Sequence, residues 1–543
     1  MKIDYLEIRS RFKNLENVVV DFDENNLMTV IVGRNGSGKS NVLEALVSIF
    51  RNLDLGEEPP FSYKIKYKLG EESNTQWITI DADPARGTLT KQYTVNVSNH
   101  KEKESKGYKE ETVAISKIKR DSNGLASLLP NYLFAYYSGP SDRLEKYFRK
   151  HRTDFYKRLL KNEVDLKADI RPLFYAKPYH SQFVLLAFFL SDKNDEEKKF
   201  LREHLGIEGL DSIHFVLRKP GWVKKKYKEE LFWGARGVVR EFLDSLYPYA
   251  LAPVKVTRKE DTSLTGSNVN NEFFHLFLPD VGTLREFAKG LRPDVFFKML
   301  ESMLLSEIIA EVNVRVKMVA HEAPLTFREL SEGEQQLLTV LGLLKFTGGK
   351  DSLFLLDEPD THLNPTWAVK YLKFLREFVP NNETSHLLMV THQPLAIAEL
   401  QKEQVQVMWK DEINNVHSQE PEEDPQGMGY AGILTSDMFG LRGTLDEPTE
   451  DLLREKRDLL EKPKLSKEDV DRMHIVDEKL VGLRFTTTHW DSDYQEYLQA
   501  RKQVAHELFA KDNASPEIQK LRKKKALEIL RKIKSKEHLE VVK

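Results

Sequence analysis

Gly33-Arg34-Asn35-Gly36-Ser37-Gly38-Lys39-Ser40 is the stretch whose reading decides the fold. It has the form G-x-x-x-x-G-K-S. An apolar run, Met28-Thr29-Val30-Ile31-Val32, precedes it, and a helical run, Asn41-Val42-Leu43-Glu44-Ala45-Leu46-Val47-Ser48-Ile49-Phe50, follows it. A buried strand, a glycine-rich turn and a helix start are the context in which this pattern has a mechanism. The backbone N–H groups of the turn and the positive end of the helix together hold phosphate. In that arrangement Lys39 reaches the β- and γ-phosphates of a nucleoside triphosphate, and Ser40 ligates Mg²⁺. The stretch therefore predicts an α/β core with a phosphate-binding edge.

Working outward, Ser352-Leu353-Phe354-Leu355-Leu356-Asp357-Glu358-Pro359 is an apolar strand ending in two carboxylates. Asp357 at such an end holds Mg²⁺ directly or through water. Glu358 beside it orients and deprotonates an attacking water. A solvated acidic turn would look the same in isolation; the phosphate loop in the same chain favours the site. Upstream, Leu330-Ser331-Glu332-Gly333-Glu334-Gln335-Gln336 opens a helical run to about Phe346, with Ser331 and Glu334 spaced as a capping box. A Ser and a Gly at a helix start also present N–H donors to an anion, such as a γ-phosphate bound by another subunit. His386-Leu387-Leu388-Met389-Val390 reads as a further buried strand, which places His392 near the γ-phosphate or the attacking water.

Composition bounds the rest. The chain has 543 residues, 40% of them hydrophobic, enough for two or three compact units. A net charge of −3 gives no overall attraction to nucleic acid or membrane, so DNA or RNA contact has to come from local patches. The absence of cysteine rules out disulfides and thiolate metal sites. No apolar run reaches the roughly 18 residues of a membrane span, the longest being Phe183–Leu190, and no leader pattern opens the chain. A cytoplasmic protein without membrane contact is the expectation.

Together, G-x-x-x-x-G-K-S, L-S-E-G-E-Q, L-L-D-E-P and T-H stand in the order found in ABC-type ATPase heads. The chain resembles the RecF/SMC/OLD branch of that superfamily. The start Lys2–Phe12 is similar to its opening strand, and Asp357-Glu358-Pro359-Asp360-Thr361-His362-Leu363-Asn364-Pro365 is similar to a form common in OLD-like and defence-associated ATPases. Val32–Asn41 and Tyr136-Tyr137-Ser138-Gly139-Pro140 resemble restriction-system-associated and Septu-type antiphage ATPases. The resemblance covers about residues 1–50 and 320–410. It implies an α/β fold: an ABC-type P-loop head, with a mixed sheet flanked by helices, an antiparallel β lobe, a helical insertion and a helical C-terminal region. It also implies ATP and Mg²⁺ as cofactors. The nucleotide would be held by Gly33, Asn35, Gly36, Ser37, Gly38, Lys39, Ser40 and Asn41, with Ser331 and Gly333 of a second head acting in trans. Ser40 and Asp357 would bind the metal, Glu358 would be the catalytic base and His392 the switch histidine. Glu332 stands where the signature usually has a glycine. No glutamine is assigned to Mg²⁺ sensing, although Ser138 lies where that loop falls.

The resemblance further implies a homodimer or higher oligomer and a separate partner nuclease of HNH type. On this reading the chain is the ATPase subunit of an antiphage defence complex. Two alternatives stay open: a RecF/SMC-like repair or recombination ATPase, and an OLD-like nuclease with its own metal site. Residues 1–140 are expected to hold the first part of the head, 141–270 a mainly helical insertion, 271–415 the second part of the head, and 416–543 a charged, helical partner-binding region. Half-buried strands are expected at Phe61–Tyr67, Thr75–Ile80 and Gln92–Val97. Two basic, aromatic-bearing segments offer nucleic-acid contact, Arg143–Arg158 and Arg218–Lys228. The competing reading is a solvated helix face with its aromatics turned inward. For an intrinsic nuclease the candidates are Asp491 with Asp493, and Asp477 with Glu478.

Overall fold

Three sheets and the helices between them build the first of two units, Met1–Leu441 and Arg442–Lys543. The computed structural model describes residues 1–105, 107–118, 120, 126–163, 172–191, 196–223, 227, 230–261, 268–441, 443–460, 462, 466–483, 524–529 and 531.

The N-terminal part runs β1 (Lys2–Ile8), β2 (Val18–Asp21), β3 (Met28–Gly33), α1 (Lys39–Leu55), β4 (Tyr63–Leu69), β5 (Gln76–Ala82), α2 (Leu89–Gln92), β6 (Tyr93–Ser98), β7 (Glu110–Val113) and β8 (Tyr132–Tyr137). β1, β2 and β4–β7 form an antiparallel sheet in the order β2-β1-β4-β5-β6-β7. β4 and β5 bury every second residue, as at Tyr63, Ile65, Tyr67 and Leu69 of β4, and β6 does so at Tyr93 and Val95, so the expected half-buried strands are present. α1 lies between this sheet and the central one, and Leu43, Leu46, Ile49 and Phe50 share one core with Ile65, Ile80, Ile31 and Leu355.

The next segment departs from expectation. It holds α3 (Glu145–Leu160), β9 (Leu173–Tyr175), α4 (His180–Leu190), α5 (Glu196–Glu203), β10 (Ile207–Arg218), α6 (Gly237–Leu246), β11 (Leu251–Asp261), β12 (Asn268–Leu278), α7 (Val281–Phe287), α8 (Pro293–Leu305), β13 (Ile309–Met318) and β14 (His321–Thr326). Helices are present in residues 141–270, but so are the long strands β10 and β11, in an antiparallel sheet ordered β11-β12-β10-β13-β14. β10 buries Leu210, Ile213, Phe215 and Leu217, and its register against β13 shifts between Leu210 and Ser212. Such a bulge breaks the period-two pattern and hides the strand in the sequence. The apolar run at Phe183–Leu190 is α4, buried almost all round, as a core helix should be. No helix among the described residues is long and apolar enough to cross a membrane.

The chain then returns to the central sheet through α9 (Glu332–Thr347), β15 (Ser352–Asp357), α10 (Pro365–Phe378), β16 (His386–Val390), α11 (Pro394–Ile397), β17 (Val405–Lys410), β18 (Val416–Gln419) and α12 (Gly429–Thr435). That sheet has the order β18-β17-β3-β16-β15-β8-β9, parallel except for β18. Its inner strands are covered on both faces, which explains their unbroken apolar character. Val30 and Val32 face the core of α4, α9 and α10, while Ile31 between them faces the core of α1. β18 and α12, grouped with the tail on sequence grounds, belong to the first unit. The second unit contains α13 (Glu447–Leu460) and α14 (Lys467–Gly482), joined by the Lys456–Asp477 and Arg472–Glu455 ion pairs.

His386 at the start of β16 ties the two N-terminal sheets together. Ile3 N–H donates to its Nδ1 at 2.9 Å, and Thr29 Oγ1 lies 3.3 Å from Nε2. Full burial, with Lys2 and Lys68 adding positive charge, drives its pKa well below the usual 6.5. The folded state therefore excludes a proton that the unfolded state binds as pH falls through about 6.5. Stability attributable to this residue is present above that pH and is lost below it, by about 1.4 kcal/mol per pH unit. Urea midpoints of wild type and His386→Asn, measured from pH 7.5 to 5.5, should fall more steeply for wild type. Parallel slopes would contradict this account.

Candidate nucleotide site

The phosphate loop leaves β3 at Gly33 and enters α1 at Lys39. Gly38 caps the helix with φ at +99°, and a Cβ there would lie 2.8 Å from Leu15 Cδ2, so both conformation and space call for glycine. No side chain caps α1 and no acid sits in its first turn, which leaves its N-terminal donors for an anion. Lys39 Nζ donates to the carbonyls of Gly33 at 2.7 Å and Arg34 at 3.2 Å, closing the loop over itself. Burial lowers its pKa, against the pull of Glu358 and Asp357. Ser37 Oγ is buried inside the loop without a partner. Asn14 Nδ2 donates to Gly36 O at 3.1 Å, and Asn41 Nδ2 donates to Asn14 Oδ1. Arg34 and Asn35 are exposed and line a cavity of about 380 Å³ with Trp409 and Phe439.

β15 brings the carboxylates to the same edge. Ser40 Oγ donates to Asp357 Oδ1 at 2.8 Å, while Oδ2 is buried with no partner. Burial pushes the Asp357 carboxyl up to about 6, opposed by the Ser40 bond and by Arg143. A hydroxyl beside a carboxylate with a bare oxygen is a hard-oxygen donor set and fits Mg²⁺. No cluster of metal-ligating side chains occurs among the described residues, so phosphate and water would complete such a site, as is usual for Mg²⁺.

Glu358 follows in the left-handed region, at φ +52°, a strained conformation of the kind that collects at functional sites. Its Oε1 lies 3.3 Å from His392 Nδ1, the histidine being carried by the turn after β16. Each shifts the other: the His392 contact holds the Glu358 carboxyl below its usual range, and the Glu358 contact raises the His392 imidazole. Ser138 N–H donates to Asp357 O at 3.3 Å, and its hydroxyl lies 3.2 Å from Thr361 Oγ1. Ser138 thus meets the carboxylate loop without bonding the Asp357 side chain.

Lys39, Ser40, Asp357, Glu358 and His392 converge; Ser331 and Gly333 make no hydrogen bond to them among the described residues. Ser331 is the exposed N-cap of α9 and bonds within its own capping box, donating to Glu334 Oε2 at 2.8 Å. Gly333 packs beneath the carboxylate loop, where a Cβ would lie 2.5 Å from His362 O. Gln336, further along α9, accepts from His362 N–H at 3.2 Å.

Sequence reasoning missed Arg143 as a member of this site. Its guanidinium donates to Glu44 Oε1 at 2.6 Å and to Asn41 Oδ1 at 2.7 Å, and its charge favours the ionised form of Glu358 and opposes the burial-driven rise at Asp357. Glu44 is fully buried on α1 and also pairs with Lys13. The signal was present in Arg143's place just after Tyr137-Ser138-Gly139-Pro140, at the end of β8 beside β15. Its neighbours on α3 agree with the solvated-face reading. Arg149, Lys150, Arg152 and Lys157 pair with Asp142, Glu57, Glu145 and Asp154, and Phe148 and Phe155 turn inward. In the second basic segment Lys219 pairs with Glu272; Lys224, Lys225, Lys226 and Lys228 lie outside the described residues. Asp477 and Glu478 sit on α14, while Asp491 and Asp493 lie outside the described residues.

Comparison with known proteins gives two family matches. Residues 1–203 match the model described as AAA ATPase domain, and residues 141–398 match AAA domain, putative AbiEii toxin, Type IV TA system. The Septu protein PtuA of Bacillus mycoides (strain KBAB4) is 25% identical over 200 residues, covering 34% of this chain and 28% of that protein. The match thus spans less than a third of the relative's length. The SMC head domain from Thermotoga maritima is aligned over 78% of this chain and 100% of its own, at 13% identity and a TM-score of 0.28. A Bacillus cereus protein related to NIF3 is aligned over 50% of this chain and 89% of its own, at 9% identity and a TM-score of 0.12. Superpositions that distant carry no weight beside the topology itself.

Proposed function

We propose that this chain, whose residues 1–203 and 141–398 match AAA ATPase-type models, binds and hydrolyses ATP at the loop of β3 and the carboxylates of β15. The observation that carries this reading is the Ser40–Asp357 bond beside the Glu358–His392 pair, all at one end of adjacent parallel strands. Lys39 and the uncapped start of α1 hold the triphosphate, and Asn35, Ser37 and Asn41 line its path. Ser40 and Asp357 would hold Mg²⁺, which when bound would supply charge neutralisation at the phosphate oxygens. Glu358 takes a proton from the attacking water as oxygen bonds to the γ-phosphorus and the bond to the β–γ bridging oxygen breaks, leaving ADP and phosphate. His392 orients Glu358 and faces the γ-phosphate.

A second copy of the chain completes the site, offering Ser331 and Gly333 from the start of its α9. Support comes from the exposure of Ser331 at that cap, while Gly333 is buried against the chain's own carboxylate loop. The match to the Septu protein PtuA supports a role in a Septu-type antiphage defence system; within that reading the chain is the ATPase subunit, and a separate nuclease of HNH type is the partner it would control. Direct DNA handling, as in a repair ATPase, draws less support, because the α3 cations are spent on neighbouring acids.

Calorimetric titration with ATP and Mg²⁺ tests the site. Wild type should bind, and Lys39→Ala should bind at least about tenfold more weakly, some 1.4 kcal/mol. Equal affinities would remove Lys39 from the site. Co-expression with a candidate HNH-type nuclease tests the partner: ATP-sensitive co-purification is expected, and independent elution would oppose it.

A further inference from the structure

Glu358 and His392 belong to separate loops, so something has to hold those loops in register. The backbone supplies part of this: Glu358 N–H donates to Val390 O at 2.8 Å. Thr361 Oγ1 then closes the carboxylate loop by donating to Glu358 O at 2.8 Å. The remaining link is made by a single hydroxyl. Thr391 Oγ1 donates to Asp360 Oδ2 at 2.7 Å and accepts Gln393 N–H at 2.9 Å. It thus fastens the turn on both sides of His392 to the loop that carries Glu358.

Asp360 is an expensive way to make such a link. Its side chain is fully buried, and Oδ1 has no partner. The Tyr371 hydroxyl is also buried without a partner, and its ring environment feels the Asp360 charge. A buried carboxylate with a bare oxygen destabilises a fold, and its pKa is pushed up to about 6 by that burial. An asparagine in the same place would accept the same Thr391 bond without the charge. A costly charged group retained where a neutral one would fit points to a task beyond holding the loop.

We propose that Asp360 is a positioning residue for hydrolysis, latching the Glu358 loop to the His392 turn through the Thr391 hydroxyl. This rests on the assignment of Glu358 and His392 given above. The charge of Asp360 acts on His392 in the same direction as that of Glu358. The latch therefore sets both the place and the field of the histidine.

The test is steady-state ATP hydrolysis by the full chain with Mg²⁺, alongside ATP affinity and thermal midpoint. Thr391→Ser keeps the hydroxyl and should stay within about twofold of wild-type kcat. Thr391→Val removes it and should lower kcat by about tenfold or more, with ATP affinity within about twofold, the signature of an interaction used in the transition state. Asp360→Asn guards against a folding artefact. It keeps the acceptor and sheds the buried charge, so its thermal midpoint should match or exceed wild type while kcat falls. A purely structural role would move kcat and stability together. Full kcat in Asp360→Asn, or equal rates for Thr391→Ser and Thr391→Val, overturns the proposal. A wild-type chain that neither binds nor turns over ATP overturns instead the assignment beneath it.

Discussion

Glu358→Gln lowers ATP turnover by about 10²–10⁴-fold and leaves ATP bound, the range expected when a positioned general base is lost. The glutamine keeps the shape of the side chain and can still meet His392, 3.3 Å away in wild type, but it cannot accept a proton from water. Lys39, Ser40 and Asp357, the residues proposed to hold the triphosphate and its metal, are untouched. The wild-type glutamate is well suited to the role: its contact with His392, aided by Lys39 and Arg143, holds it as the carboxylate. Single-turnover hydrolysis of labelled ATP, with nucleotide retention on gel filtration, separates chemistry from binding. Hydrolysis at the wild-type rate would remove Glu358 from the base role.

Asp357→Asn should have opposite effects on stability and on activity. The carboxylate is fully buried, with one oxygen bonded to Ser40 and the other bare. Its pKa rises from the ordinary 3.8 to about 6. Between those values the folded chain holds a proton that the unfolded chain has released. The cost of burying the charge thus grows as pH rises through this window and is complete above it, on the order of 3 kcal/mol. Asparagine accepts the same Ser40 bond and removes that cost. Without nucleotide, the thermal midpoint should rise by a few degrees at pH 7.5, with no gain near pH 4. The same change deletes a hard-oxygen ligand, and Mg²⁺-dependent turnover should drop by roughly 10²-fold or more. Scanning fluorimetry of the nucleotide-free protein decides the first point: a lower midpoint for the variant at pH 7.5 would show that the carboxylate is not strained.

What could be read from the sequence was local. The strand, loop and helix around Gly33–Ser40 are contiguous, and both readings of Ser331, as cap and as anion-facing residue, depend on its immediate neighbours. β4, β5 and β6 carried a clean alternation because one face of their sheet packs on α1. Arg143 was hidden because its segment has the composition of a solvated helix face, and only the path of the chain after β8 brings it to Asn41. Asp360 stands beside Glu358 in the carboxylate loop, but its partner Thr391 follows a different strand. Within the second antiparallel sheet β10 and β11 were hidden, because bulges shift their alternation and because β11 carries Lys255, Arg258 and Lys259 among its apolar residues.

The strand order carries a consequence for synthesis. β3 is flanked by β16 and β17, and its hydrogen-bonding partners therefore leave the ribosome long after it does. Thr29 and His386, neighbours in the finished sheet, are 357 residues apart. At about 5–20 residues per second, β3 waits roughly 20–70 s with both edges open. The phosphate loop is translated well before the strands that set it in place. A nascent or truncated chain lacking the final parallel strands carries the loop's sequence without the scaffold that lets it hold a nucleotide.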